Sequence, residues 1–311
     1  MRILVVGAGA VGGYFGGRLL EARRDVTFLV RPRRAAELQA SGLRIHSRQG
    51  DVHLPLPPTV VADDLNEPFD LILLSCKAYD LAGAIASFAP AVGPDTVIVP
   101  LLNGMRHIDI LGARFGPAVL GGRCLISSTL NERREIVHFS DIHSISFGEL
   151  NGAVSKRVRA IERLFDGARC DGQGSPHIVL EMWEKWVFIA TLAGATCLMR
   201  STIGDICSSP GGQDFVLRLF EECRTVAATQ GFAPRDTAAD RSLAMVTAAN
   251  STLTASMLRD IEMNGAIEAD QIVGDLLDRA VAPLTLLPVV YTALKAYEHH
   301  RAASSRSTAA G

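Results

Sequence analysis

The run Gly7-Ala8-Gly9-Ala10-Val11-Gly12 directly follows an apolar stretch at residues 3–6 and opens a segment of helical periodicity that continues to about residue 21. No other feature constrains the fold as strongly. In a strand that turns through glycines into a helix, the first glycine permits the tight turn. The second lets the backbone approach a bound group, and the third lets the helix pack close to the strand. The free N–H groups and the positive dipole end at the helix start then face the turn, which favours a pyrophosphate there. Placement between a strand and a helix separates this pattern from a glycine-rich turn with no ligand, so all six residues are candidates for dinucleotide binding.

The rest of the first half fits that beginning. Nearly continuous apolar runs at residues 3–6, 26–30, 71–75 and 96–100 alternate with helical stretches, as expected for parallel strands buried on both faces. The reading is an N-terminal Rossmann-type, doubly wound α/β domain over residues 1–170. Residues 43–61 read as two shorter antiparallel strands, and 118–149 as further sheet with a turn at Asn131-Glu132. From residue 176 the chain shows long stretches of helical periodicity and no strand-like runs, which predicts an all-α domain over 176–300. Small residues at 170–176 suggest a linker, and Ser208-Ser209-Pro210-Gly211-Gly212 a break between helices. The tail at 301–311, rich in Ala, Ser and Arg, is expected to be disordered. A length of 311 residues suits two domains of about 150 residues each.

Composition excludes several classes. With 48% hydrophobic residues, 21% charged residues and a formal net charge of -2, the chain reads as a soluble globular protein with no basic excess for nucleic acid. Its six cysteines are scattered, without a C-x-x-C pair or a nearby His at zinc spacing, and read as reduced thiols of a cytoplasmic protein. The apolar start is too short for a signal peptide. No span reaches the roughly 18 uninterrupted apolar residues of a membrane helix, and residues 186–199 carry two threonines and read as a buried helix.

The choice of dinucleotide is read at the end of the second strand. Where an NAD site would place Asp or Glu for the ribose 2′-hydroxyl, the chain has Arg31-Pro32-Arg33-Arg34. The planar guanidinium of Arg31 suits a 2′-phosphate and hence NADP(H); the alternative is a solvated basic turn. Lys77 and Asn103 follow two further strands, where ligands bind in open α/β sheets. Lys77 suits ribose or nicotinamide-side groups and Asn103 both cofactor and substrate, though each reads equally well as a plain loop residue.

The chain resembles the ketopantoate reductases (2-dehydropantoate 2-reductases) over nearly its whole length. The resemblance rests on residues 2–17, Ser75-Cys76-Lys77-Ala78-Tyr79-Asp80, Leu102-Asn103-Gly104-Met105, Trp183-Glu184-Lys185, and Ser256-Met257-Leu258-Arg259-Asp260-Ile261 followed by Glu268. It implies a two-domain enzyme that reduces a 2-oxo acid with NADPH in a cleft between a Rossmann domain and a helical domain. Lys185 then matches the catalytic lysine, Asn103 the cleft asparagine, and Ser256 and Glu268 the substrate-contacting serine and glutamate. Lys77 and Arg31 match cofactor contacts. A protonated lysine aimed at a ketone oxygen can stabilise its growing charge and supply its proton, with Asn103 orienting both partners. Ser256 would bond the substrate carboxylate, and Glu268 would accept from a substrate hydroxyl or keep Lys185 charged. None of these steps needs a metal. From the residues alone, Lys185 reads rather as an exposed ion pair with Glu181, four residues earlier, and the resemblance reverses that order.

The chain departs from the family at three positions. Asparagines are usual four and eight residues after the lysine, and three before the serine; here stand Ile189, Ala193 and Leu253. Apolar walls favour a substrate with fewer hydroxyls, which opens the alternative of a more apolar 2-oxo acid or ketone. Thr196, near the same helical face, is the expected surviving polar contact. Two further alternatives stand: a dehydrogenase of the 6-phosphogluconate or glycerol-3-phosphate kind, and a catalytically silent NADP-binding regulator. The expected partners are a small 2-oxo acid and a second copy of the chain paired through the helical domain, with neither nucleic acid nor membrane.

Overall fold

The computed structural model describes residues 1–309, with side chains through residue 304. It divides into two compact units. The first comprises Met1–Leu102 and His107–Val179, and the second Asn103–Arg106 and the chain from Leu180 onward.

The first unit is built on a parallel sheet. In chain order it contains β1 (Arg2–Val6), α1 (Gly12–Glu21), β2 (Asp25–Leu29), α2 (Pro32–Ser41), β3 (Leu43–Ser47), β4 (Val52–Leu54), β5 (Thr59–Val60) and β6 (Leu71–Leu74). There follow α3 (Leu81–Phe88), β7 (Val97–Pro100), α4 (Arg106–Phe115), β8 (Gly121–Leu130), β9 (Ile136–Gly148), α5 (Lys156–Glu162) and β10 (Asp171–Gly174). The main sheet has the order β5-β2-β1-β6-β7, with β1 parallel to β2 and to β6. Alternation along β1 explains its apolar run from Ile3 to Val6. Ile3 and Val5 join one core with Phe15 and Leu19 of α1, whereas Leu4 and Val6 join another with Leu81, Ile85 and Phe88 of α3. Each face of the strand has its own helical cover, so none of these four positions is left for a polar residue.

A second sheet of order β10-β9-β3-β4 carries β8 antiparallel to β9. The antiparallel pair expected within residues 43–61 is β3 with β4; the last part of that segment, β5, joins the edge of the main sheet beside β2 instead. The turn expected at Asn131-Glu132 is a wider loop, in which Asn131 Oδ1 accepts from the N–H groups of Arg133 and Glu135 at 3.0 and 2.9 Å. The segment read as a linker is corrected most clearly. Residues 171–174 form β10, parallel to β9, and a Cβ at Gly172 would overlap the Phe165 ring. Those glycines serve close packing rather than flexibility.

The second unit is helical: α6 (Ile178–Met199, which begins just before it), α7 (Ile203–Ser208), α8 (Gly212–Thr229), α9 (Asp236–Val246), α10 (Ser256–Glu262), a π-helical turn (Asp270–Gly274), α11 (Asp275–Asp278) and α12 (Leu287–Ala309). Arg200, at φ 52°, turns the chain out of α6, and Gly211, at φ 76°, makes the expected break ahead of α8. Glu222 of α8 caps the start of α12, accepting from the N–H groups of Thr285, Leu286 and Leu287 at 2.9 Å each. The disorder expected from residue 301 is not what the backbone shows: α12 continues to Ala309, and Arg301 Nε donates to the Asn264 carbonyl at 2.9 Å. Ala and Arg extend an established helix at little cost, which composition alone does not distinguish from disorder. Residues 310 and 311 lie outside the described residues. Among the described residues no helix is long and apolar enough to cross a membrane.

Candidate active site

The glycine turn has the form its sequence requires. Gly7 sits at φ 95° and donates to the Leu29 carbonyl at 2.9 Å, which ties the end of β1 to β2. A Cβ at Gly12 would overlap both Ser75 Oγ and the Gly7 carbonyl. At Gly9 a Cβ would meet nothing within 4 Å, so the backbone there borders open space. α1 begins without a side-chain cap and without an acidic residue in its first turn. A pyrophosphate suits this cradle: the uncapped N–H groups and the dipole attract it, and Gly9 leaves room for it.

Two serines that the sequence did not single out hold the turn. Ser75 Oγ lies 2.9 Å from the Val6 carbonyl and 3.2 Å from that of Gly7, and Ser128 Oγ donates to the Ala10 carbonyl at 3.1 Å. Ser75 lies inside a motif that was legible. Ser128 comes from β8, more than a hundred residues away, with no sequence signal.

Arg31 stands where β2 gives way to α2, with its guanidinium 79% exposed and Nη2 at 2.7 Å from Asp80 Oδ1. The neighbouring arginines are engaged along their own helix. Arg33 and Arg34 bond Glu37 at 3.2 and 3.0 Å, and Arg34, only 12% exposed, also donates to the Arg134 carbonyl. The hydrogen bond from Arg34 holds the Glu37 carboxyl below the ordinary carboxylate value. Lys77 is half-buried and immediately precedes the short turn at Ala78–Asp80.

The remaining candidates all belong to the second unit, Asn103 included. Lys185 is half-buried on α6 between two anchored neighbours. Glu184 accepts both arms of the Arg235 guanidinium, at 2.7 and 2.6 Å, and the Arg235 N–H at 3.1 Å. On the other side Trp186 Nε1 donates to the Ile272 carbonyl at 2.9 Å. The exposed Glu181–Lys185 pair is not what the structure presents, since Glu181 is buried and Lys185 is half-buried. Asn103 is half-buried, and its carbonyl accepts from Gln271 Nε2 at 2.7 Å. Glu268 is half-buried just ahead of the π-helical turn, its carbonyl accepting from Ile272 N at 2.9 Å. Ser256 is exposed as the first residue of α10.

These bonds join the segments bearing Lys185, Asn103 and Glu268 to one π-helical turn, the kind of helical irregularity often found at functional sites. Thr196 is corrected. It is 0% exposed, donates to the Leu192 carbonyl at 2.7 Å and accepts from Ala255 N at 3.3 Å. It therefore braces the start of α10, where Ser256 stands, instead of presenting its hydroxyl to a ligand. Of the positions that depart from the family, Ala193 is buried, and Ile189 and Leu253 are half-buried.

A strand-glycine-helix turn of the form that suits a dinucleotide, followed by an all-helical unit that holds a lysine on its long helix, is the plan of a class of two-domain oxidoreductases. Residues 3–152 match the family Ketopantoate reductase PanE/ApbA, and residues 177–298 match its C-terminal family. The chain belongs to the ketopantoate reductase family and is an oxidoreductase of that family. It is 39% identical over 302 residues to the uncharacterized oxidoreductase YkpB of Bacillus subtilis (strain 168), covering 96% of this chain and 99% of that one. It is also similar to the crystal structure of 2-dehydropantoate 2-reductase from Geobacter metallireducens GS-15, with a TM-score of 0.87, 26% identity, and 95% and 99% of the two chains covered. The ternary structure of D-mandelate dehydrogenase with NADH and anilino(oxo)acetate shares the fold, with a TM-score of 0.86, 19% identity, and 97% and 99% of the two chains covered.

Proposed function

We propose that this protein reduces a 2-oxo acid to the 2-hydroxy acid with NADPH, ketopantoate being the reference substrate of its family. The observation that carries this reading is the seat of Lys185, half-buried between a residue bonded to Arg235 and another bonded to the Ile272 carbonyl. Those bonds fix the stretch of α6 from which the Lys185 side chain projects. When bound, NADPH supplies the hydride that the ketone carbon accepts.

The chain's own side chains do the rest. As negative charge grows on the carbonyl oxygen, Lys185 stabilises it and transfers a proton to it; the neutral amine is then reprotonated from water. Asn103 orients the carbonyl. Ser256 donates to the substrate carboxylate, and Glu268 accepts from a substrate hydroxyl or keeps Lys185 in its charged form. On the cofactor side Gly7 to Gly12 take the pyrophosphate, Lys77 the ribose or nicotinamide end, and Arg31 the 2′-phosphate.

Ile189, Ala193 and Leu253 favour an acid whose chain carries fewer hydroxyls than ketopantoate, because a wall without hydrogen-bonding groups gives a hydroxyl nothing to replace its water. The decisive experiment is an NADPH-oxidation screen across 2-oxo acids with the wild type, Lys185→Ala, and the Ile189→Asn/Ala193→Asn double variant. Lys185→Ala is expected to lower kcat by about 10²- to 10⁴-fold. The double variant is expected to raise ketopantoate turnover relative to branched, unhydroxylated acids. A wild type that binds NADPH but oxidises it with none of the acids would leave a silent NADP-binding regulator as the better reading, and a Lys185→Ala protein as active as an active wild type would remove Lys185 from the catalytic role. A wild type that turns over ketopantoate as well as or better than the unhydroxylated acids would refute the substrate preference.

A further inference from the structure

The sequence places no carboxylate at the end of β2, yet the fold brings one there. Asp80 lies 49 residues beyond Arg31, and its Oδ1 is 2.7 Å from Arg31 Nη2. Its own position makes this pairing notable. Asp80 is the residue preceding α3, where an aspartate ordinarily accepts from the first N–H groups of its helix, but its carboxylate makes no such cap. It is turned to the arginine instead. Arg33 and Arg34 share Glu37 on their own helix, so Arg31 is the arginine of this turn held by a carboxylate from a distant segment.

We infer that Asp80 sets how strongly this protein distinguishes NADPH from NADH, by competing with the 2′-phosphate for Arg31 and by offering the 2′-hydroxyl of NADH an acceptor. The inference rests on the reading of Arg31 as the 2′-phosphate ligand and adds a second residue to that choice. Arg31 is 79% and Asp80 37% exposed, so water and salt screen the pair, and a doubly charged phosphate can displace the carboxylate. What remains after displacement is a carboxylate beside a phosphate, which opposes NADPH and leaves NADH untouched. With NADH there is no phosphate to repel, and a carboxylate is the group that ordinarily bonds a ribose 2′-hydroxyl.

The test is fluorescence titration of NADPH and NADH into wild type, Asp80→Asn, Arg31→Ala and the double variant, with thermal melts as a control for folding. Asn keeps the shape of Asp and removes its charge. Asp80→Asn is expected to tighten NADPH and to move the ratio of NADH to NADPH dissociation constants toward NADPH by about 1.5-fold to fivefold, the size of a screened ion pair. NADH should bind no more tightly than before. In the Arg31→Ala background there is no guanidinium to compete for and only the repulsion remains, so Asp80→Asn should still favour NADPH over NADH there. An unchanged ratio in Asp80→Asn, with Arg31→Ala still losing NADPH selectively, overturns the role of Asp80 and leaves the reading of Arg31 standing. Equal weakening of both dinucleotides by Arg31→Ala overturns the reading of Arg31 and, with it, this inference.

Discussion

Gln271 Nε2 donates to the backbone carbonyl of Asn103 at 2.7 Å across 168 residues of sequence. The bond fixes a main-chain atom, so it orients the whole Asn103 residue. Gln271 also belongs to the π-helical turn whose Ile272 carbonyl receives Trp186 Nε1, next to Lys185. Gln271→Ala is therefore expected to lower kcat on a 2-oxo acid about tenfold, the kinetic equivalent of losing one hydrogen bond of about 1.4 kcal/mol. Dinucleotide affinity should change less than kcat. Steady-state kinetics beside a cofactor titration decide it; a fall in melting temperature with kcat intact would make Gln271 purely structural.

The glycine turn separates stability from binding. Gly12→Ala places a methyl group against Ser75 Oγ and the Gly7 carbonyl, and the overpacking should cost about 1–3 kcal/mol of stability as well as dinucleotide affinity. Gly9→Ala puts its methyl into open space. Its stability should stay within about 0.5 kcal/mol of wild type while NADPH binding weakens. Chemical denaturation and fluorescence titration of both variants check the contrast, and equal destabilisation by the two would refute it.

Thr196 offers a second separation. Thr196→Val keeps the volume but leaves the Ala255 N–H without its acceptor in a buried place, a loss of about 1–3 kcal/mol. Because Ala255 immediately precedes α10, the KM for the 2-oxo acid should rise through displacement of Ser256, with kcat affected less. Thr196→Ser keeps the hydroxyl that accepts from Ala255 N and should leave KM near that of wild type, whereas Thr196→Val should raise it.

Acid should weaken the first unit before it reaches the carboxylates. Burial holds His138 and His143 below the ordinary histidine value, with Arg18 adding like charge nearby. Tyr14 bonds His143 Nδ1 at 2.8 Å, and the Arg18 guanidinium, fully buried, lies 5.2 Å from the Tyr14 ring centre. A histidine whose folded value is depressed binds protons more readily when unfolded, so stability falls as pH drops below about 6.5. His46 works in the opposite sense, raised by its bond to Asp51, but it is largely solvated and its contribution is screened. Melting temperature should therefore decline between about pH 6.5 and 5, before the carboxylates titrate, and a His143→Gln variant should show a shallower decline. A flat profile in wild type across that interval would contradict this account.

Much of the architecture was legible because it depends on short-range chemistry. The turn at Gly7 to Gly12, the apolar runs of β1, β6 and β7, and the helical second half follow from steric freedom and periodicity, which act within a few residues. The same locality explains the errors. Gly172 looked like a linker because its partner, the Phe165 ring, cannot be seen from composition, and Thr196 looked available because helical spacing gives a face without saying what covers it.

The sequence by itself determined the glycine turn at Gly7 to Gly12, the order of an α/β unit before a helical one, and the identities of Lys185, Asn103, Ser256 and Glu268 as candidates. Only the tertiary structure decided what holds them: Ser75 and Ser128 behind the glycine turn, Gln271 on Asn103, Arg235 on Glu184 beside Lys185, and Asp80 on Arg31. The physical reason is that a turn or a strand is specified by neighbours along the chain. A hydrogen bond between distant segments exists only once packing has brought them within about 3 Å of each other.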